Sequence, residues 1–218
     1  MKKIYGSAPK LVTELKCESE EMFFYQYLPI RMVDKGSAIL LPKQLEFLRD
    51  LVNEAAKDFI NEFGSEEYYK SYMYLTVKRL YVSTGRNLNR EGWHSDGFGT
   101  NDINYIWCDS VPTEYFEDIL YFVPTECSEA LEYFDNLGKL FSQSCMTDKI
   151  NTNALYRLDE TVIHSVGYYI GNPIIRTFVK VSFSRDKYNL KGNSHNYLFD
   201  YKWEMKDREL ERNHPSKV

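Results

Sequence analysis

Three residues of this chain can hold a metal ion, and a fourth can hold an acid. His94 and Asp96 stand two apart in Trp93-His94-Ser95-Asp96-Gly97, and His164 follows 70 residues after His94. Two imidazoles and one carboxylate bind a divalent metal on one side and leave the opposite positions open, a donor set suited to non-haem iron. Twelve residues beyond His164, Arg176 lies in a β-branched run, where its planar guanidinium fork suits a carboxylate. A bare His-x-Asp triplet turns up by chance in roughly one chain in four of this kind. The reading therefore depends on the elements that would bring these groups together.

In extended chain, residues two apart share a face, so His94 and Asp96 are expected to point the same way from one strand. His164 must then come from a distant strand. Residues 71–82 (SYMYLTVKRLYV) read as a long strand, and 104–107, 119–123, 155–158, 161–166, 168–170 and 174–183 as further strands separated by turn-forming stretches. Along 174–183, Ile175, Thr177, Val179, Val181 and Phe183 make a mostly apolar face, suited to packing under a helix. Arg176, Phe178 and Lys180 take the opposite face and would look into the interior.

Pro42 opens a helical pattern. Leu45, Leu48, Val52, Ala55 and Phe59 recur at three- and four-residue steps, and Gly64 follows the end. A second helix is expected over 128–141, capped by Ser128 and burying Ala130, Leu131, Phe134, Leu137 and Phe141. A short third one is expected over 203–210, followed by a loose tail. Helices in the first third and many short strands afterwards imply an α+β protein built on a β-sandwich or jelly roll. The chain reads as a single domain over 1–218, with its strand-rich core at about 70–185 and helical and charged extensions on either side.

Composition narrows the class. The chain has 218 residues, 43% of them hydrophobic and 16% aromatic, with 18 Tyr and 13 Phe, which is globular rather than disordered. A net charge of -5 gives no overall electrostatic footprint for nucleic acid. Cys17, Cys108, Cys127 and Cys145 show no paired spacing, so reduced thiols are expected. The first residues carry no apolar stretch of a signal peptide, and no run approaches the roughly 18 residues of a membrane span. The expectation is a soluble, cytoplasmic protein.

The motifs together resemble the Fe(II)/2-oxoglutarate-dependent dioxygenase superfamily, whose double-stranded β-helix core carries an HxD…H…R/K pattern. Trp93-His94-Ser95-Asp96-Gly97 looks like the strand of the first ligands, residues 156–166 resemble the strand of the distal His164, and residues 175–183 are similar to the strand of the basic clamp. The resemblance covers about residues 70–185 and reaches no subfamily. No Arg-x-Ser follows the clamp, since Thr177 and Phe178 come after Arg176.

The resemblance implies Fe(II) on His94, Asp96 and His164, with 2-oxoglutarate as cosubstrate and its distal carboxylate on Arg176. Asn104 and Tyr105, and also Tyr74 and Arg79, are placed to offer the keto acid polar contacts. Dioxygen would be consumed and a substrate C–H bond hydroxylated, the substrate being a small molecule, an amino acid or a peptide. Because Asp96 is present, no ligand position is vacated for a halide. Three other readings stay open: a nucleobase oxidase served by a basic patch of Lys78, Arg79, Arg86 and Arg90; a non-catalytic cupin-like metal-binding module; and a metal-dependent hydrolase. His195 and His214 lie in polar C-terminal sequence and are expected to be solvated.

Overall fold

The computed structural model describes residues 3–36, 38–84, 92–166 and 169–208. Among these residues two antiparallel sheets dominate, with few helices. The strands are β1 Lys10–Glu14, β2 Phe23–Arg31, β3 Tyr72–Val82, β4 His94–Ser95, β5 Ile103–Cys108, β6 Thr113–Tyr115, β7 Asp148–Lys149, β8 Ala154–Leu158, β9 Ile163–Val166 and β10 Ile174–Ser184. The larger sheet has the order β1-β8-β5-β10-β3-β2 and the smaller one β4-β9-β6-β7. From β3 to β10 the chain moves repeatedly between the two sheets.

The alternation in residues 72–82 and 174–184 shows why the large sheet forms. β10 pairs with β3 without a break from Ile174↔Val82 to Ser184↔Tyr72. On its outer face Leu75, Val77, Val179, Val181, Phe183 and Trp107 form one core with Leu45, Leu48, Leu51, Val52, Ala55 and Phe59. These last belong to a 3-10 segment (Lys43–Leu48) and to α1 (Arg49–Phe63), so the apolar stripe is helical throughout but tighter in its first turns. Phe59 stacks on Phe183 at 4.1 Å between ring centroids. A helix α2 (Ser65–Lys70) then leads into β3.

The inner face of the large sheet meets the small one. Ile106, Cys108, Leu158 and Phe178 share a buried cluster with Ile150 and Val162. Helix α3 (Cys127–Gln143) covers the other side of the small sheet, where Ala130 and Phe134 pack with Trp93, Phe116 and Ile163. No described helix is long and apolar enough to cross a membrane.

Several expected elements differ. Helix α3 begins before Ser128: its N-cap is Glu126, and no side chain caps it. Residues 119–123 form no strand, because Leu120 makes only an isolated bridge to Tyr5. Tyr169 and Ile170 are irregular, and Tyr168 lies outside the described residues. Residues 203–208 are not helical. The Lys206 N–H donates to the Asn189 carbonyl and the Lys206 carbonyl accepts from Lys191, so long-range partners take the groups a helix would use. Residues 209–218, including His214, lie outside the described residues.

Candidate metal centre

His94 and His164 sit directly opposite each other in the β4–β9 pair, although 70 residues separate them in the chain. Their ring centroids are 4.7 Å apart. Asp96 is not on the strand as expected. β4 is only two residues long, and Asp96 occupies the turn that follows, closed by Gly97 at φ 80°. One ligand atom from each of His94, Asp96 and His164 lies within 4.8 Å of the other two. The strand that carries His94 is fixed by its neighbours as well as by the ladder. The Ser95 hydroxyl donates to the Glu160 carbonyl. The Trp93 N–H donates to Asp135 Oδ1 at 3.1 Å, and the Trp93 ring lies against Gly138 of α3.

The tautomers fit a metal. His94 Nδ1 lies 3.0 Å from the Gly92 carbonyl, and His164 Nδ1 lies 3.3 Å from the Val162 carbonyl. A carbonyl only accepts, so Nδ1 is the donor in both rings, and in the neutral tautomer each Nε2 lone pair is left for a metal. These Nε2 atoms face Asp96, at 4.0 Å from Oδ1 for His94 and 3.7 Å from Oδ2 for His164. The donor set is hard oxygen plus imidazole without a thiolate, which suits iron among other divalent metals.

Lys180 enters from the large sheet. Its Nζ donates to Asp96 Oδ2 at 2.9 Å and to the Tyr27 hydroxyl at 3.3 Å. Burial alone would lift the Asp96 carboxyl, but the Lys180 ammonium outweighs it and holds the carboxyl well below the usual range. Burial would lower Lys180, and Asp96 more than reverses this, so the ammonium stays charged.

The triad opens into a cavity of about 320 Å³ whose walls include Tyr27, Thr76, Lys78, Ile106, Phe178 and Val166. Lys78 and Arg208 add positive charge, and among the described residues Asp96 is the single acid in its wall. Burial lowers the Lys78 ammonium, helped by the nearby charges of Lys180 and Arg176.

The other expected site residues separate. Arg176 is on the inner face as parity requires and is 3% exposed. Its Nε donates to the carbonyls of Ser110 and Val111, and Nη2 is buried with no hydrogen-bond partner among the described residues. It does not line the cavity. Asn104 is also inward, but its Oδ1 accepts from the Ser182 hydroxyl at 2.6 Å. Tyr105 falls on the opposite face, and its hydroxyl donates to Asp58 of α1, so it is not brought to the triad. Arg79 is outward too and bonds Thr177. The Tyr74 hydroxyl donates to the Asp186 carbonyl. Of the expected basic patch, Lys78 and Arg79 face opposite ways, and Arg86 and Arg90 lie outside the described residues.

Tyr27, Thr76 and Thr113 were not anticipated. Thr76 and Lys78 share the inward parity of β3, a signal the sequence carries. Tyr27 has φ 47° in a bulge of β2, where its N–H bonds Thr76 Oγ1, and nothing local announces it.

No family profile and no curated protein matches this sequence. Among solved structures the chain is similar to EvdO2 from Micromonospora carbonacea var. aurantiaca complexed with 2-oxoglutarate, at 13% identity and a TM-score of 0.38, over 67% of this chain and 68% of that one. Another EvdO2 structure gives 13% and 0.37, over 69% of this chain and 70% of that one. A BsmA homologue from Methylobium petroleophilum PM1 gives 11% and 0.38, over 77% of this chain and 65% of that one. At this distance the neighbours carry no argument about chemistry, which must rest on the site itself.

Proposed function

We propose that the chain is a jelly-roll oxygenase that binds Fe(II) through His94, Asp96 and His164 and uses 2-oxoglutarate and dioxygen to hydroxylate a C–H bond of a small substrate. The observation that carries this reading is the convergence of two Nε2 lone pairs and one carboxylate at the wall of a cationic cavity. The alternation of strands between two sheets supports the fold, since eight strands, β3 to β10, split four and four as in a jelly roll.

Two buried polar atoms have no hydrogen-bond partner among the described residues: Thr113 Oγ1, in the cavity wall, and Arg176 Nη2. Each costs about 1–3 kcal/mol if left so. They belong to one neighbourhood, because Arg176 is tied to the carbonyls of Ser110 and Val111, just before Thr113. A keto-acid carboxylate at the Thr113 end of the cavity would accept from the Thr113 hydroxyl, with Lys78 adding charge from the wall and Arg176 adding charge from beside the wall residue Phe178. When bound, the iron supplies activation of dioxygen coupled to oxidative decarboxylation of the keto acid. The histidines present fixed lone pairs, Asp96 supplies the anionic donor, and Phe178, Ile106 and Val166 keep water from the reacting carbon.

Anaerobic titration of Fe(II) and 2-oxoglutarate tests this. A weak visible charge-transfer band is expected, with succinate formed once air is admitted. Neither band nor succinate with any substrate pool sinks the oxygenase reading. A second reading, a metal-free binding module, has one observation in its favour: the Lys180 ammonium already neutralises Asp96. Failure of Fe(II) and Mn(II) to raise the melting temperature would select it.

A further inference from the structure

The described C-terminal segment packs its aromatic residues against the large sheet in a line that starts at the metal centre. Tyr27 lies beside Lys180, two hydrogen bonds from Asp96. Its ring meets Tyr188 edge-on at 5.1 Å, and Tyr188 stacks on Tyr74 at 4.1 Å with an interplanar angle of 11°. Tyr74 stands 6.5 Å from Trp203, which is 4.8 Å from Tyr201, both half-buried. No step between ring centroids exceeds 6.5 Å. Trp93 and Trp107 are buried in other parts of the molecule, so Trp203 is the accessible indole.

Packing alone explains rings, not hydroxyls. The Tyr188 hydroxyl is buried and donates to the buried carboxylate of Asp102. Burying a carboxylate is costly, and phenylalanine would fill the same space without one. Tyr27 is held by a backbone at φ 47°, a region that bulky residues seldom adopt, in a bulge that aims the ring at the cavity. Strain of this kind gathers at functional sites.

We infer that Tyr27, Tyr188, Tyr74, Trp203 and Tyr201 form a one-electron relay that drains oxidising equivalents from the metal centre to the surface when dioxygen is activated without substrate. The relay takes its oxidant from the proposed oxygenase chemistry. Tyr188 gives up one electron through Tyr27, its O–H bond breaks, and the proton passes to Asp102. Dioxygen activated on iron held by His94, Asp96 and His164 would be the acceptor of that electron, together with a proton from solvent. Trp203 refills Tyr188 through the stacked Tyr74 ring, and the proton returns from Asp102. A dissolved one-electron donor of the ascorbate or thiolate class then reduces Trp203, leaving the oxidised donor in solution.

The relay is tested first without metal. In pulse radiolysis of the metal-free protein, azide radical oxidises the accessible Trp203. The tryptophanyl absorption should then decay into tyrosyl absorption in a first-order phase independent of protein concentration. Trp203→Phe should abolish that phase and Tyr188→Phe should slow it at least ten-fold, with unchanged circular dichroism confirming both folds. If the phase is absent in the parent protein, or survives both changes, the relay is wrong and the tyrosines only pack. A second arm adds Fe(II), 2-oxoglutarate and air without substrate, with succinate and the freeze-quenched radical read from one sample. Succinate without a tyrosyl radical overturns the relay alone. No succinate, with the radiolysis phase intact, overturns the oxygenase reading and leaves the electron path standing.

Discussion

The two sheets differ in how they hold their residues in place. In the large sheet β3 and β10 are 11 residues each, paired along their whole length and buried on both faces over much of it. In the small sheet no strand exceeds four residues, and the ladder around the metal ligands is a pair of residues on each strand. Yet the small sheet carries both histidines, with Asp96 in the turn beyond. Ladder length sets stability here, while the ligands depend on single clamps: Ser95 on Glu160, Trp93 on Asp135 and on Gly138. The large sheet contributes Lys180, Lys78 and Phe178, side chains whose positions must not drift.

Truncating each sheet separately breaks this comparison most sharply. Phe183→Ala removes a buried ring stacked on Phe59 and should cost about 3–5 kcal/mol by chemical denaturation. His94→Ala should cost less, about 1–2 kcal/mol, since it removes a small ring and its Nδ1 bond to the Gly92 carbonyl rather than a stacked core ring. It should still abolish Fe(II) binding in equilibrium dialysis. Iron retained by that variant would show that the ligands are misassigned.

Lys180 joins the sheets, so its replacement measures their coupling. Lys180→Met leaves Asp96 buried beside two neutral imidazoles, a loss of up to about 3–5 kcal/mol in metal-free protein. A divalent metal should recover much of it, about 2.7 kcal/mol at a free concentration 100 times its Kd. Equal metal stabilisation in parent and variant would mean that the ammonium and the metal do not compete for Asp96.

A smaller effect is expected at Gly138. Alanine favours a helix over glycine by about 1 kcal/mol. A Cβ at this position would stand 2.0 Å from the Trp93 ring, so the ring must move. Gly138→Ala should therefore destabilise by about 1–3 kcal/mol and weaken metal binding through the adjacent His94. A more stable variant with unchanged affinity would show that α3 does not position the ligand.

How much of this was legible follows the same division. The large sheet could be read from period-two alternation, which set the inward parity of Arg176 and Lys180 because long buried strands leave one register. That parity also placed Asn104 inward and Tyr105 outward, against the expectation that both reach a keto acid. In the small sheet His94 and His164 come from distant strands and face each other, while Asp96, expected on the strand, lies beyond its end at Ser95. Strands of two residues leave no periodic trace, and only Gly97 and Gly99 mark the turn. The C-terminal segment was the least legible. Trp203 and Lys206 are held by Tyr72, Tyr74 and Asn189, contacts made across the chain and not by local pattern.

The smallest effect concerns the clamp at Asp135. Burial would raise its carboxyl, but the hydrogen bond from Lys139 and the Trp93 N–H outweigh it and leave it below its ordinary value of 3.8. A depressed carboxylate contributes stability above that ordinary value and loses it as pH falls through the folded one. Lys139 is largely exposed, so screening limits the contribution to about 1 kcal/mol or less. Asp135→Asn should thus lower the melting temperature slightly at neutral pH, with the difference shrinking as the solution is acidified below 3.8. The Asn side-chain oxygen can still accept the Trp93 N–H, so metal affinity at neutral pH should change less than in Gly138→Ala. A pH-independent difference would mean that Asp135 acts by shape alone, and that the small sheet is held at this corner by the Trp93 ring rather than by charge.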